Sequence, residues 1–185
     1  MFAVCTIGLL FLISLSHSAL NDCDGVVQPL TELDPRQFEG RWALVAGSIK
    51  IIEPERPLQA SDSHYCSVTI EFYNRTFVKA SRLGDTCSYL TSNITLEGHN
   101  YNFTKGIANF NGTFFHTSCV DCGMLTFNVD APFHKSSEVY LFSRRRKVDD
   151  KDIEWFGRQV ECLNMPPHFV MDPTKSLCLE ENIKT

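Results

Sequence analysis

Phe38-Glu39-Gly40-Arg41-Trp42 runs directly into Ala43-Leu44-Val45-Ala46-Gly47-Ser48. The lead-in, Leu33-Asp34-Pro35-Arg36-Gln37-Phe38, is turn-prone and looks like a short helical turn. Gly40 reads as a position of positive φ or of close approach, since a side chain would obstruct either. Trp42 reads as a large anchor burying about 150–250 Å². The apolar run after it has the look of a strand. An ordinary core tryptophan predicts the same burial, and nothing here makes Trp42 a ligand contact.

Upstream, Phe2 to Leu15 is almost wholly apolar, and the small residues Ser16, Ser18 and Ala19 follow. The run is short for a permanent membrane span and reads as a secretory signal over residues 1–19, leaving residues 20–185 as one domain. No later apolar run is long enough to span, so the expected product is secreted, extracellular and without a stable membrane anchor. Residues 1–20 hold no Asp, Glu, Lys or Arg, so the net charge of -5 belongs to the mature chain. That acidity disfavours nucleic acid, which calls for a basic face. The basic run Arg144-Arg145-Arg146-Lys147 reads as a solvated strand end offset by Asp149, Asp150 and Asp152.

Removal of Cys5 with the signal leaves Cys23, Cys66, Cys87, Cys119, Cys122, Cys162 and Cys178, an odd set suited to an oxidising compartment. The sequons at Asn74, Asn93, Asn102 and Asn111 agree with export and place those segments at the surface.

Downstream, the prolines of Glu53-Pro54-Glu55-Arg56-Pro57 mark a loop. Then Val68, Ile70 and Phe72 alternate with Ser67, Thr69 and Glu71 from His64 to Tyr73, the period of a half-buried strand. Asn74-Arg75 and Gly84-Asp85 are turns around a strand over 76–83. Further strands are expected over 87–96, 101–105, 112–119, 123–129 and 137–143, with Val120-Asp121 as a two-residue hairpin link. This makes about eight strands at hairpin spacing, hence a sandwich or an up-and-down barrel. One helix follows: Ile153, Phe156, Val160 and Leu163 form a single apolar stripe, with Asp149 or Asp150 at its start and Pro166-Pro167 at its end.

About eight strands and then one helix, opened by Gly40-Arg41-Trp42, resembles the lipocalin family. Met124 to Val129, Val139 to Phe142, Val160 to Pro166 and the tail through Asp172-Pro173-Thr174-Lys175 to Cys178 resemble its alpha-1-acid glycoprotein (orosomucoid) and apolipoprotein M group. That group includes the fish saxitoxin/tetrodotoxin-binding and tributyltin-binding proteins. The resemblance covers roughly residues 23–180. It implies an all-β fold: an eight-stranded antiparallel barrel with one C-terminal helix packed outside. Gly40 and Trp42 would plug the closed end, and the motif arginine beside the tryptophan matches Arg144 best, with Arg145 and Arg146 as competitors. The turn motif between late strands is not intact, and only Asp121 stands near its place. By analogy Cys23 pairs with Cys162 and Cys87 with Cys178. For the remaining three, Cys119–Cys122 is a tight option across a hairpin, and Cys66 is left without an assigned partner.

The function implied is a carrier holding one small hydrophobic or amphipathic molecule inside the barrel, as a monomer, with no cofactor, no metal and no chemistry performed. Candidate interior residues are Phe72, Phe77, Tyr89, Phe103, Phe115, Phe127 and Tyr140, with Phe114 and Phe142 also on strands. Alternation sends only about half of such residues inward. His64, Lys79, Arg82, Glu71 and His116 are the candidate polar selectors, and Glu71 is read as the sole mid-strand acid. Rival readings are a thiol isomerase using Cys66, with His64 two residues away; a scavenger of cationic toxins or organotin; and a filled barrel that binds only protein. Cys119-x-x-Cys122 as a redox or metal site is disfavoured, because neither a helix N-terminus nor further ligands accompany it.

Overall fold

The computed structural model describes residues 23–53 and 65–179. The expected signal, most of the first loop and His64 lie outside them. A four-residue helical turn, α1 (Pro35–Phe38), opens on Asp34, whose carboxylate accepts from Arg36 N at 3.1 Å. The strands are β1 (Gly40–Glu53), β2 (Tyr65–Tyr73), β3 (Thr76–Leu83), β4 (Thr86–Asn93), β5 (Thr95–Glu97), β6 (Asn100–Lys105), β7 (Ala108–Phe115), β8 (Cys122–Ala131) and β9 (His134–Ser143). Helix α2 (Asp150–Cys162) and the short β10 (Phe169–Val170) follow. All strand pairings are antiparallel, in the order β4-β3-β2-β1-β9-β8-β7-β6-β5.

β4 and β5 are one strand bent at Ile94, so the count of eight holds. The first half of that strand pairs with β3 and the second with β6, which brings the two ends of the sheet together. Ser92 Oγ donates to Thr104 O at 3.3 Å and Lys105 Nζ to Thr91 O at 3.0 Å across this near-closure. A barrel closed in this way leaves little free strand edge.

Strand β7 differs from expectation. It spans Ala108–Phe115 rather than 112–119, because the preceding hairpin turns at Gly106-Ile107, where Lys105 and Ala108 pair. The two-residue link at Val120-Asp121 is in fact the longer stretch 116–121.

The pleat sorts the apolar residues into two cores. Inside the barrel lie Trp42, Leu44, Ile70, Phe72, Phe77, Tyr101, Phe103, Phe114, Leu125, Phe127, Tyr140 and Phe142. Outside, Val45, Ala46, Phe115, Met124, Val139 and Leu141 meet Phe156 and Val160 of α2. A bulge between Leu44 and Ala46 places the successive residues Val45 and Ala46 on the helix side, an outcome no strict period-two reading gives. Helix α2 is tied down at both ends. Buried Asp152 accepts from Ser118 Oγ at 2.6 Å, and Gln159 donates to Val26 O and His116 O at 3.0 and 2.9 Å. Asp149 occupies the N-cap with its backbone carbonyl alone.

The disulfides Cys23–Cys162 and Cys87–Cys178 bind the N-terminal arm to α2 and the tail to β4. Cys119–Cys122 is also a disulfide, with Cα atoms 5.4 Å apart, and Cys66 is free. Cys119, Asp121 and Cys122 cluster closely enough to hold an ion, but the disulfide uses both sulfurs and Arg145 forks onto the Asp121 carboxylate.

Candidate ligand-binding site

β1 pairs with β2 only over Gly40–Ala43 against Phe72–Thr69. Beyond that point β10 takes the same edge of β1, at Ala46 and Gly47, and Met171 N donates to Val45 O at 2.8 Å. The tail thus fills the seam between β1 and β2. It is held there by Ser67 Oγ on Ser176 O (2.7 Å), Arg146 on Lys175 O (2.7 Å), Arg41 on Cys178 O and the Cys87–Cys178 disulfide. Phe169 and Met171 reach the interior core.

Behind this strap is a chamber of about 360 Å³, lined by Leu44, Ile49, Val68, Lys79, Tyr140 and Phe169, with Cys66, Asp172 and Lys175 also on its wall. A polar cluster sits among these apolar groups. Glu138 is 8 % exposed and accepts from Tyr140 Oη at 2.5 Å and Ser136 Oγ at 3.0 Å. Lys79 Nζ lies 4.0 Å from Glu138 and over the rings of Phe127 (4.9 Å) and Tyr140 (5.3 Å). The carboxylate is therefore served by two hydroxyls as well as the ammonium, whereas the ammonium has one distant carboxylate and two ring faces. The cation is the less satisfied partner. Below it, burial and then the Glu138 charge push the Tyr101 phenol well above its ordinary pKa, so it stays neutral and donates to Thr126 O at 2.6 Å. Gly112 lets that ring in: a Cβ there would lie 2.6 Å from Tyr101 and 2.0 Å from Thr126 O.

The closed end is built differently. Gly40 has φ +83°, as its place in the turn demands. Trp42 Nε1 donates to Phe38 O at 2.8 Å, and the Arg144 guanidinium stacks 3.9 Å from the Trp42 ring centroid. Arg144 also donates to Gln37 O, Glu39 O and Arg41 O, and burial lowers its pKa from the ordinary arginine value. The rest of the basic run is not merely solvated. Arg145 forks onto Asp121 at 2.5 and 2.9 Å, and Arg146 holds the strap. A second recess, about 610 Å³, lies at this end between the N-terminal arm and the strand turns, over Phe38, Phe72, Ile94, Leu96 and Phe114.

Of the interior candidates, Phe72, Phe77, Phe103, Phe127 and Tyr140 share the barrel core. Two are corrected. Phe115 faces α2, because its neighbour Phe114 points inward and consecutive strand residues alternate. Tyr89 is 39 % exposed on the outside and donates to Leu179 O, while the adjacent Leu90 packs against the interior. Among the described polar selectors, only Lys79 lines the chamber. Glu71 lies outside beside Arg41, at 3.4 Å, and Arg82 pairs with Asp85 at the rim. His116 is exposed next to the arm, its backbone N bonded to Gln28 O. Glu138, which the sequence reading passed over, is the interior acid. Its signal was present, since Ser136, Glu138, Tyr140 and Phe142 stand at a spacing of two.

No family model matches the sequence, and no curated protein does. The fold is similar to the solution NMR structure of lipocalin 12 from rat epididymis, with a TM-score of 0.63. The likeness covers 81 % of this chain and 91 % of that one, at 18 % identity. Together with the single outer helix, it defines the chain as an antiparallel up-and-down barrel of lipocalin fold. Among the described residues no helix is long and apolar enough to cross a membrane.

Proposed function

We propose that the protein is an exported, monomeric carrier that holds one small amphipathic molecule in the chamber beside Lys79 and performs no reaction on it. The observation that carries this reading is the Lys79 ammonium, which has one carboxylate at 4.0 Å, set in a cavity among Leu44, Ile49, Val68, Tyr140 and Phe169. A molecule with an apolar body and an anionic or acceptor head satisfies both features, and 360 Å³ lies at the small end of ligand-pocket sizes. Glycans at Asn74, Asn93, Asn102 and Asn111 belong to the same reading, and all four asparagines are exposed. So does a cleaved signal over residues 1–19. An alpha-1-acid glycoprotein-like ancestry is supported by the paired Cys23–Cys162 and Cys87–Cys178.

A scavenger of cationic toxins is less favoured, because Glu138 already has Lys79, Ser136 and Tyr140 about it, and Asp172 on the chamber wall already accepts from Thr174 N and Oγ1. A thiol isomerase has one observation in its favour: Cys66 is free and on the chamber wall. Mapping iodoacetamide adducts with and without ligand tests it, and an unmodified Cys66 ends it.

The test of the carrier is titration with a fluorescent fatty acid at low salt and at about 1 M salt, which screens exposed charges but reaches buried ones far less. Saturable one-to-one binding at both is expected, with the chamber variant Lys79→Met weakened. Absence of saturable binding by folded protein sinks the reading.

A further inference from the structure

Up-and-down topology puts the far end of β1 and the β3–β4, β6–β7 and β8–β9 turns at the mouth, opposite Trp42. Each carries an exposed large apolar side chain: Ile52 (47 % exposed), Leu83 (52 %), Ile107 (75 %) and Phe133 (87 %). Turn tips ordinarily carry Gly, Asn, Asp or Ser, and a single exposed apolar residue needs no explanation. Four around one rim form a ring.

We propose that this rim is a docking surface for an uncharged lipid surface, through which the chamber exchanges its ligand. Charge supports the choice of partner. Among the described residues the cations near the rim are Lys50, Arg82, Lys105 and Lys135, and the acids are Glu53, Asp85 and Asp130. Lys135 lies 3.4 Å from Glu53 and 3.8 Å from Asp130, and Arg82 lies 3.7 Å from Asp85. Charges so nearly balanced on the described part of the rim have little to attract an anionic membrane, and apolar insertion remains as the driving term. Continuity with the interior supports the role. Ile49, Phe110 and Val129 are only partly buried and pack against the barrel core below the rim. They extend the apolar surface from the tips towards Lys79, so a ligand with an apolar body need not cross water. The sequon asparagines agree: Asn74 and Asn93 lie at the closed end and Asn102 and Asn111 pair in mid-strand, none on a mouth turn. Glycans at all four would leave the mouth free.

The experiment is flotation of the full mature chain with phosphatidylcholine vesicles at about 0.1 and 1 M salt. Wild type is expected to co-float equally at both, because no net charge drives the contact. Ile107→Ser with Phe133→Ser should lower partitioning at least tenfold. Val120→Ser, at the fully exposed apolar position of the opposite end, should not change it. Phe133→Trp should shift its emission to shorter wavelengths on vesicles and be quenched by brominated phosphatidylcholine, and Val120→Trp should do neither. The inference is overturned if folded wild type stays in solution. It is equally overturned if Val120→Ser loses as much as the rim variant, or if binding needs anionic lipid and vanishes in salt. Docking by a chain that binds no fluorescent fatty acid would leave this surface standing and remove the carrier reading.

Discussion

The two halves of the barrel are made of similar strands and do opposite things. The closed half is a packed cluster of rings, over which the 610 Å³ recess lies. Phe38, Trp42, Phe72, Phe77, Phe103 and Phe114 meet ring to ring with centroids 4.7 to 6.4 Å apart, and Arg144 seals the end. The open half spends its interior on Lys79, Glu138, Ser136 and Tyr140 and keeps a chamber. Close-packed aromatics contribute stability through burial and dispersion. A buried ion pair contributes little net stability. The closed half therefore holds the fold, and the open half is free to select a ligand.

The sharpest way to break that division is at Trp42. Trp42→Ala should cost about 3–5 kcal/mol in denaturant unfolding, as for other buried aromatics. Ligand preference should be unchanged in protein that still folds. A variant of wild-type stability with lost binding would move Trp42 into the site and end the division.

Cys87→Ser with Cys178→Ser is next, at about 2–4 kcal/mol for a long-loop crosslink. Its second readout is affinity. The crosslink anchors the strap, so freeing it loosens Phe169 and Met171 from the chamber, and fluorescent fatty acid should bind more weakly. Unchanged affinity would mean that the strap is only structural.

Lys79→Met sharpens the comparison from the other side. Loss of a charge-assisted contact of about 1.5–3 kcal/mol predicts roughly ten- to hundredfold weaker binding of an anionic-headed probe. Unfolding of the double variant Lys79→Met with Glu138→Gln, which leaves no unpaired carboxylate, should change by much less than for Trp42→Ala. A loss of stability matching that of Trp42→Ala would show the polar cluster to be part of the scaffold.

The smallest effect concerns pH. The Tyr101 pKa is raised in the folded state above the ordinary 10.0, by burial first and the Glu138 charge second. A raised folded pKa contributes stability that is complete below the unfolded value and is lost as pH rises above it. Absorbance near 295 nm should therefore show a late tyrosine step that appears only as the protein unfolds in alkali. In Tyr101→Phe that late step should vanish, and its persistence would assign the signal to another tyrosine.

The sequence by itself determined the strand order, the closing helix, the glycine and tryptophan that open β1, and the hairpin turns at Asn74-Arg75 and Gly84-Asp85. These are legible because they are local: alternation, an apolar stripe and turn chemistry act over a few residues. The pairing of Cys23 with Cys162 and Cys87 with Cys178 came from resemblance to other chains rather than from spacing. Tertiary structure decided which face of each strand points inward, since a pair such as Phe114 and Phe115 fits either parity. A bulge at Val45 shifts that parity within one strand. Only the fold brought Lys79 of β3 to Glu138 of β9, because β2 and β1 stand between those strands and closure alone makes their inner faces meet. It was likewise the path of the tail, set by backbone bonds to β1 and a disulfide to β4, that closed the seam and gave the chamber its wall.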